Sequence, residues 1–232
     1  MKGKRQSANG RKDRRHYETI LVAFLLMISF PATRTDAATQ ITHSDKMKLF
    51  SYPKLGFQIS FPASWVVRDK SGDLVGEHWV EGRRSADTPS ALNSKKPAMS
   101  KKEQQLADIA FLKGIRVTIL VQDIERQSVR ISLLEAVNNR IQGMKMIGKI
   151  RGDDVDIKPL ERVQLATVPA FVTRATTRRK DFAQISTTTT YYDFERGARS
   201  YMIALDAPAD EFDKYAAEFT RIVRSFTFIE RR

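Results

Sequence analysis

The sequence predicts an α+β domain: a central, mainly antiparallel β-sheet with a helix on each face, a three-layer α/β/α sandwich. Three observations carry this. Phe57, Ile59 and Phe61 alternate with Gln58 and Ser60, the period-2 mark of a half-buried strand, and Pro62 and Trp65 follow at once. Four strand-like segments joined by short turns fill residues 160–205, an antiparallel meander. A wide apolar stripe at helical spacing then occupies Asp210 to Ser225.

Residues 1–16 are polar and basic, and Ile20 to Phe30 carry no charge. Small residues follow at Thr35-Asp36-Ala37-Ala38. A basic start, a short apolar run and a small-residue site predict a secretory signal peptide over residues 1–37, with an uncleaved anchor as the alternative. The run is shorter than the ~20 residues of a comfortable membrane span. Arg14-Arg15 leaves the choice between general and twin-arginine export open. The expected location is outside the cytoplasm, in a periplasm, a thylakoid lumen or the medium.

A polar lead-in over 38–48 precedes one folded domain at 49–232. Ser71-Gly72-Asp73 reads as a turn and Leu74 to Val80 as a short hairpin strand. Residues 82–106 break the pattern with prolines, serines and basic residues and read as an exposed insertion, with a short helix at Ser100 to Ala110. Ile115 to Val121 is a branched, alternating strand. Ser132-Leu133-Leu134-Glu135 is a capping box, and Leu134, Val137, Ile141 and Met144 share one face of a helix running to about Ile147. Gly148 to Gly152 ends it.

The meander strands are expected at Leu160–Leu165, Ala170–Thr176, Gln184–Phe194 and Ser200–Leu205, turning at Thr167-Val168-Pro169 and Glu195-Arg196-Gly197. The threonine tract 187–190 is a central strand of β-branched residues. In the last helix Phe212, Tyr215, Ala216, Phe219, Ile222, Val223 and Phe226 fall on one face. Its acidic start and its Arg221 and Arg224 suit the helix dipole.

At this point three short patterns acquire a common reading. Gly56-Phe57-Gln58-Ile59-Ser60-Phe61-Pro62-Ala63-Ser64-Trp65 resembles the opening of PsbP-like domains. Val163-Gln164-Leu165 through Val168-Pro169-Ala170-Phe171 resembles their strand, turn, strand step. Ser225-Phe226-Thr227-Phe228 resembles their closing tail. The similarity spans roughly Met47 to Ile229. It implies the α/β/α sandwich of the PsbP and Mog types. PsbP itself is an extrinsic photosystem II subunit associated with calcium and chloride retention; a relative of the same fold binds a small GTPase, and bacterial members are exported. The resemblance implies a non-catalytic domain that binds a protein or a membrane-associated complex, and no shared catalytic residues.

The chemistry of the chain agrees with that restraint. There is no cysteine, which removes disulfides, thiolate metal sites and cysteine nucleophiles. No Gly-x-Ser-x-Gly, Gly-x-Gly-x-x-Gly or phosphate-loop pattern occurs. Beyond residue 37 the histidines are His43 and His78, and Glu77 alternates away from His78 in a strand. Asp153, Asp154 and Asp156 lack the spacing of a calcium loop and read as a solvated turn. The expectation is therefore no catalytic residue, no metal and no cofactor. A metal-ion-binding protein or an uncharacterised enzyme is the remaining alternative.

The net charge is +13. The first 37 residues hold 8 Lys/Arg against 3 Asp/Glu, so a surplus of 8 belongs to the remainder. It concentrates in two clusters: Arg83, Arg84, Lys95, Lys96, Lys101 and Lys102, and Arg174, Arg178, Arg179 and Lys180. Both are expected in loops, where they would steer an acidic protein or anionic lipid headgroups. Aromatics are not interleaved with them, which argues against nucleic acid. Oligomeric state is left open by the sequence.

Overall fold

The computed structural model describes residues 46–71, 77–84, 112–126, 130–180 and 185–230, all within one compact unit, Pro31–Arg232. The signal peptide, His43, the 71–73 turn beyond Ser71, the 100–110 helix and Lys95, Lys96, Lys101 and Lys102 fall outside the described residues.

In chain order the strands are β1 (Met47–Tyr52), β2 (Phe57–Pro62), β3 (Trp65–Ser71), β4 (Glu77–Arg84) and β5 (Arg116–Asp123). Helix α1 (Leu133–Arg151) follows, then β6 (Asp154–Ile157), β7 (Glu161–Leu165), β8 (Val168–Arg178), β9 (Ser186–Arg196) and β10 (Arg199–Pro208). Helix α2 (Phe212–Arg224) and the two-residue β11 (Thr227–Phe228) close the domain. The fold is α+β with antiparallel pairing throughout the described strands.

The described strands form two sheets rather than the single sheet expected. The larger has eight strands, β3-β4-β5-β10-β9-β8-β6, with β7 also on β8; the smaller is β1-β2-β11. The opening strand thus leaves the main sheet and lies over it, carrying Phe57, Ile59 and Phe61 into the common core with no exposure. The meander β7-β8-β9-β10 forms as expected, and the threonine tract lies in β9, an interior strand.

Two local readings change. The Asp153–Asp156 segment is not a loop: from Asp154 it becomes β6, pairing Asp154 with Arg178 and Ile157 with Ala175. β7 continues along the same edge of β8 with the register offset by one residue, from Glu161 opposite Val172. Pro159 lies at the break, where a residue without an N–H interrupts the ladder as a bulge. The β7–β8 turn is Ala166-Thr167, at φ 49° and 88°, so Val168 and Pro169 already belong to β8. Positive φ at both positions of a two-residue hairpin, as a type I′ turn requires, suits glycine and asparagine and strains threonine.

The core lies between one face of the large sheet, α2 and the small sheet. Val117, Ile119, Val121, Phe194, Ile203 and Leu205 supply the sheet side. Phe212, Tyr215, Phe219, Ile222 and Val223 supply the helix side, as the sequence stripe predicted. Trp65 is buried, and its indole N–H donates to Glu218 of α2 at 3.0 Å.

The C-terminal tail locks this arrangement. Ser60 N–H donates to Ser225 Oγ at 2.8 Å, and Phe226 stacks on Phe57 at 5.2 Å. β11 pairs with β2, and Ile229 N–H donates to Gly56 O at 2.9 Å. Gly56 itself has φ 79°, which ends the tight β1–β2 turn.

α1 packs on β6, β8 and β9. Ser132 Oγ accepts from Glu135 N–H, and Gly152 in the left-handed region ends the helix four residues later than expected. Gly152 N–H and Asp153 N–H close back onto the last turn, a Schellman-type end. Its inward face carries Val137, Met144 and Gly148; Leu134, expected inward, is an exposed residue at 38%.

Two stability outcomes follow. A methyl group at Gly82 would lie 2.5 Å from the buried Phe61 ring. Gly82→Ala should lower stability by ~1–3 kcal/mol, the usual cost of overpacking, with an unchanged m-value in urea unfolding. An unchanged midpoint would mean that the small sheet does not press on β4. Conversely, Thr167→Gly should raise stability by ~1 kcal/mol and the thermal midpoint by a few degrees, by relieving the hairpin. A fall would show that the turn is not strained.

Candidate functional site

The two faces of the large sheet differ in chemistry. Strand alternation turns Val117, Ile119, Phe194, Ile203 and Leu205 toward α2, and this face is apolar. The residues between them point the other way. Register pairs Arg83 with Arg116, Arg116 with Asp206, and Asp206 with Thr189 across β4, β5, β10 and β9. Tyr191 and Asp193 continue the same side of β9. The result is a row of polar and charged side chains across the inside of a folded domain.

Each member has a partner that makes burial tolerable. Arg83 Nε donates to Glu81 at 2.7 Å. Arg116 Nε donates to Asp206 Oδ2 at 2.9 Å, and Thr189 Oγ1 donates to Asp206 Oδ1 at 2.6 Å. From α1, Arg140 reaches Asp193 with both terminal nitrogens, Nη2 to Oδ2 at 2.7 Å. Its guanidinium carbon also lies 4.3 Å from the centre of the Tyr191 ring. Both side chains of this pair are only 9% exposed. Arg140 Nε and Thr173 Oγ1 remain buried without a hydrogen-bond partner among the described residues.

Burial governs the acid–base character here. It pushes the Asp193 carboxyl up, with Arg140 drawing it partly back. It also pushes the Tyr191 hydroxyl up to about 12, helped by the nearby Asp206 carboxylate and opposed by Arg140 and Thr189. The Arg140–Asp193 pair is the member of the row that reaches α1, and it holds that helix on the sheet.

The basic residues singled out in the sequence are dispersed by the fold. Arg83 and Arg84 belong to β4 rather than to a loop, and Arg83 is buried in the polar row. Arg174 lies in the middle of β8, with Nε 3.3 Å from Thr190 Oγ1 and the guanidinium 5.0 Å above the Phe212 ring. Arg179 is buried, and its N–H donates to Ile185 O. Arg178 and Lys180 are exposed at the end of β8.

That end meets the C-terminus of α1. Lys180 N–H donates to Asp153 Oδ1 at 3.2 Å, and the Lys180 side chain runs beside Gly152. Lys149 and Arg151, absent from the sequence-level clusters, therefore join Arg178 and Lys180 in one basic region. Their position in the last turn of α1 was a visible signal, but it reads equally as a match to the helix dipole.

Asp154 lies opposite Arg178, and Asp156 pairs with Lys158 at 2.8 Å. The expected absence of a metal site concerns His43 and His78 as well: His43 lies outside the described residues, and His78 is in β4. Among the described residues no three His, Asp or Glu side chains converge in a metal-binding group. No helix among them is long and apolar enough to cross a membrane.

Comparison with known proteins gives likenesses in structure alone. No family model matches the chain, and no curated protein matches its sequence. The chain is similar to the solution structure of cyanobacterial PsbP (CyanoP) from Synechocystis sp. PCC 6803, at TM-score 0.49 and 12% identity, over 83% of this chain and 98% of that one. It is similar to the Ran-binding protein Mog1p of Saccharomyces cerevisiae at TM-score 0.43 and 13% identity, over 81% and 97% of the two chains. LpqN, involved in cell envelope biogenesis of Mycobacterium tuberculosis, gives 0.42 and 11%, over 83% and 90%. These structures share the PsbP/Mog1 fold. All three likenesses concern the fold.

The polar row makes its own prediction. Because the folded state holds the Tyr191 proton until about pH 12, its contribution to stability is complete below pH ~10 and is lost as pH rises toward 12. The stability difference between wild type and Tyr191→Phe should be constant at neutral pH. Above pH ~10 it should move in favour of the variant by up to ~1.4 kcal/mol per pH unit, measured by denaturant unfolding. A difference independent of pH would remove Tyr191 from the buried network.

Proposed function

We propose that this chain is an exported, non-catalytic accessory domain that docks on a membrane-associated protein assembly. The body that docks is a rigid three-layer α/β/α sandwich, with α1 and α2 as its outer layers. The observation that carries the reading is the junction between Lys180 and Asp153, which joins Arg178 and Lys180 to Lys149 and Arg151 at one end of the domain. A concentrated basic surface on a rigid body orients an acidic partner and raises its association rate. Export is supported by the basic, apolar and small-residue order of residues 1–37. An accessory role without catalysis is supported by the family resemblance of the sequence motifs, and by a polar row whose charges already satisfy one another. Nucleic acid is not the expected partner of a protein outside the cytoplasm.

The test is site-specific crosslinking in membranes of the host. A photo-crosslinking residue replacing Arg178 should give a discrete product that weakens at least several-fold when Lys149→Glu and Lys180→Glu are added. The same probe replacing Lys54, in the exposed β1–β2 turn, should not give that product. Equal products from both positions, or products insensitive to charge reversal, would sink the docking surface.

A further inference from the structure

The outer face of α1 carries a second anomaly, and it adjoins the basic end. Ile150 is 74% exposed and Met146 is 45% exposed, stacked one turn apart on the solvent side. Lys145 and Lys149 form the neighbouring column at the same spacing, and both are exposed. Two like charges at i and i+4 repel, and an exposed apolar pair has nothing to cover it within the described residues. The helix dipole accounts for Lys149 and Arg151 in the last turn. It does not account for Lys145, which lies further back, nor for the apolar pair beside the lysines.

We propose that the C-terminal half of α1 rests on an anionic lipid surface, with Ile150 and Met146 entering the headgroup boundary. Lys145, Lys149, Arg151 and Lys180 would meet the lipid charge around them. An apolar column beside a lysine column is the arrangement of a helix lying in an interface, where the lysine stems extend along the apolar boundary and the ammonium groups reach the headgroups. Charge complementarity favours this occupant: residues 145–151 of α1 contain three cations and no acid. Of the carboxylates that follow the helix, Asp153 accepts from the Lys180 N–H, and Asp154 lies in β6 opposite Arg178. The convex shape of a helix also suits a deformable bilayer, which needs no matching groove. This inference rests on the proposed docking role of the basic end and names the surface that role is exerted on.

The chain has no cysteine, so Ile150→Cys provides a single attachment point for an environment-sensitive fluorophore on the full-length protein. Mixed phosphatidylglycerol–phosphatidylcholine vesicles should shift its emission to the blue. Pure phosphatidylcholine or high salt should abolish the shift. Adding Lys145→Glu and Lys149→Glu should weaken the response by at least roughly tenfold, since each basic residue near an anionic surface contributes measurably. The same dye at Lys54→Cys reports any attachment through another part of the chain and should stay unshifted. A silent dye at position 150 in anionic vesicles, or an equal response in neutral ones, overturns the proposal. If the dye is silent while the charge-dependent crosslink from position 178 persists, the partner is an acidic protein and only the lipid inference falls. Loss of both overturns the docking reading as well.

Discussion

The contact between the first strands of the domain and the closing segment Ser225–Ile229 is the constraint on which the rest depends. Phe57 stacks on Phe226, and Phe194 stacks on Tyr201 at 5.3 Å. Phe226 stands edge-on to Phe194 and to Phe228. The Tyr201 hydroxyl completes the box by donating to Leu55 O at 3.0 Å. Aromatic pairs at these separations add ~0.5–1.5 kcal/mol each beyond the area they bury. The box joins the small sheet, α2's exit and the centre of the large sheet, so β2 cannot shift register without opening all three. Ser225 sets the register by accepting the Ser60 N–H.

With one face closed by that box, the opposite face is free to be polar. A sheet whose two sides are both covered ordinarily reads as continuous apolar strands. Here β9 and β10 bury Phe194, Ile203 and Leu205 on one side and Asp193 and Thr189 on the other, with Asp206 half-buried beside them. The Arg140–Asp193 pair contributes little net stability against its desolvation, but losing one partner strands the other charge at a cost of about 3–5 kcal/mol. Its effect is therefore positional. Only one placement of α1 pairs Arg140 with Asp193 and stacks it on Tyr191 at once. The same placement fixes Met146 and Ile150 outward and brings Lys149 to the end of β8.

Much of this was legible in the residues. The α2 stripe, the meander and the Phe57–Phe61 strand have strong periods because each buries one apolar face. Four features were not legible, for distinct physical reasons. β6 is held by backbone pairing at a sheet edge, so its Asp-Val-Asp-Ile side chains say little, and Pro159 hides its continuity with β7. β11 is two residues long and has no period. The polar row reads in sequence as ordinary solvent-facing alternation: Arg116-x-Thr118 and Tyr191-x-Asp193 would look the same on an open sheet. Burial of that face, which only the packed structure reveals, also moved Arg83 from an expected loop cation to an interior ion pair with Glu81. The junction at the basic end escaped notice for the opposite reason: the cluster at 178–180 stood out in the sequence, but it meets 149–151 only through the fold.

The Ser60–Ser225 bond spans 165 residues, and that separation has a consequence for the nascent chain. β2 is synthesised well before β11 and Phe226. Until they arrive, Phe57, Ile59 and Phe61 lack the partners that bury them, and their alternating apolar strand is open to pairing with other chains. A protein built this way spends its synthesis with a sticky edge on display. The small sheet therefore cannot close until Ser225 and β11 have been made.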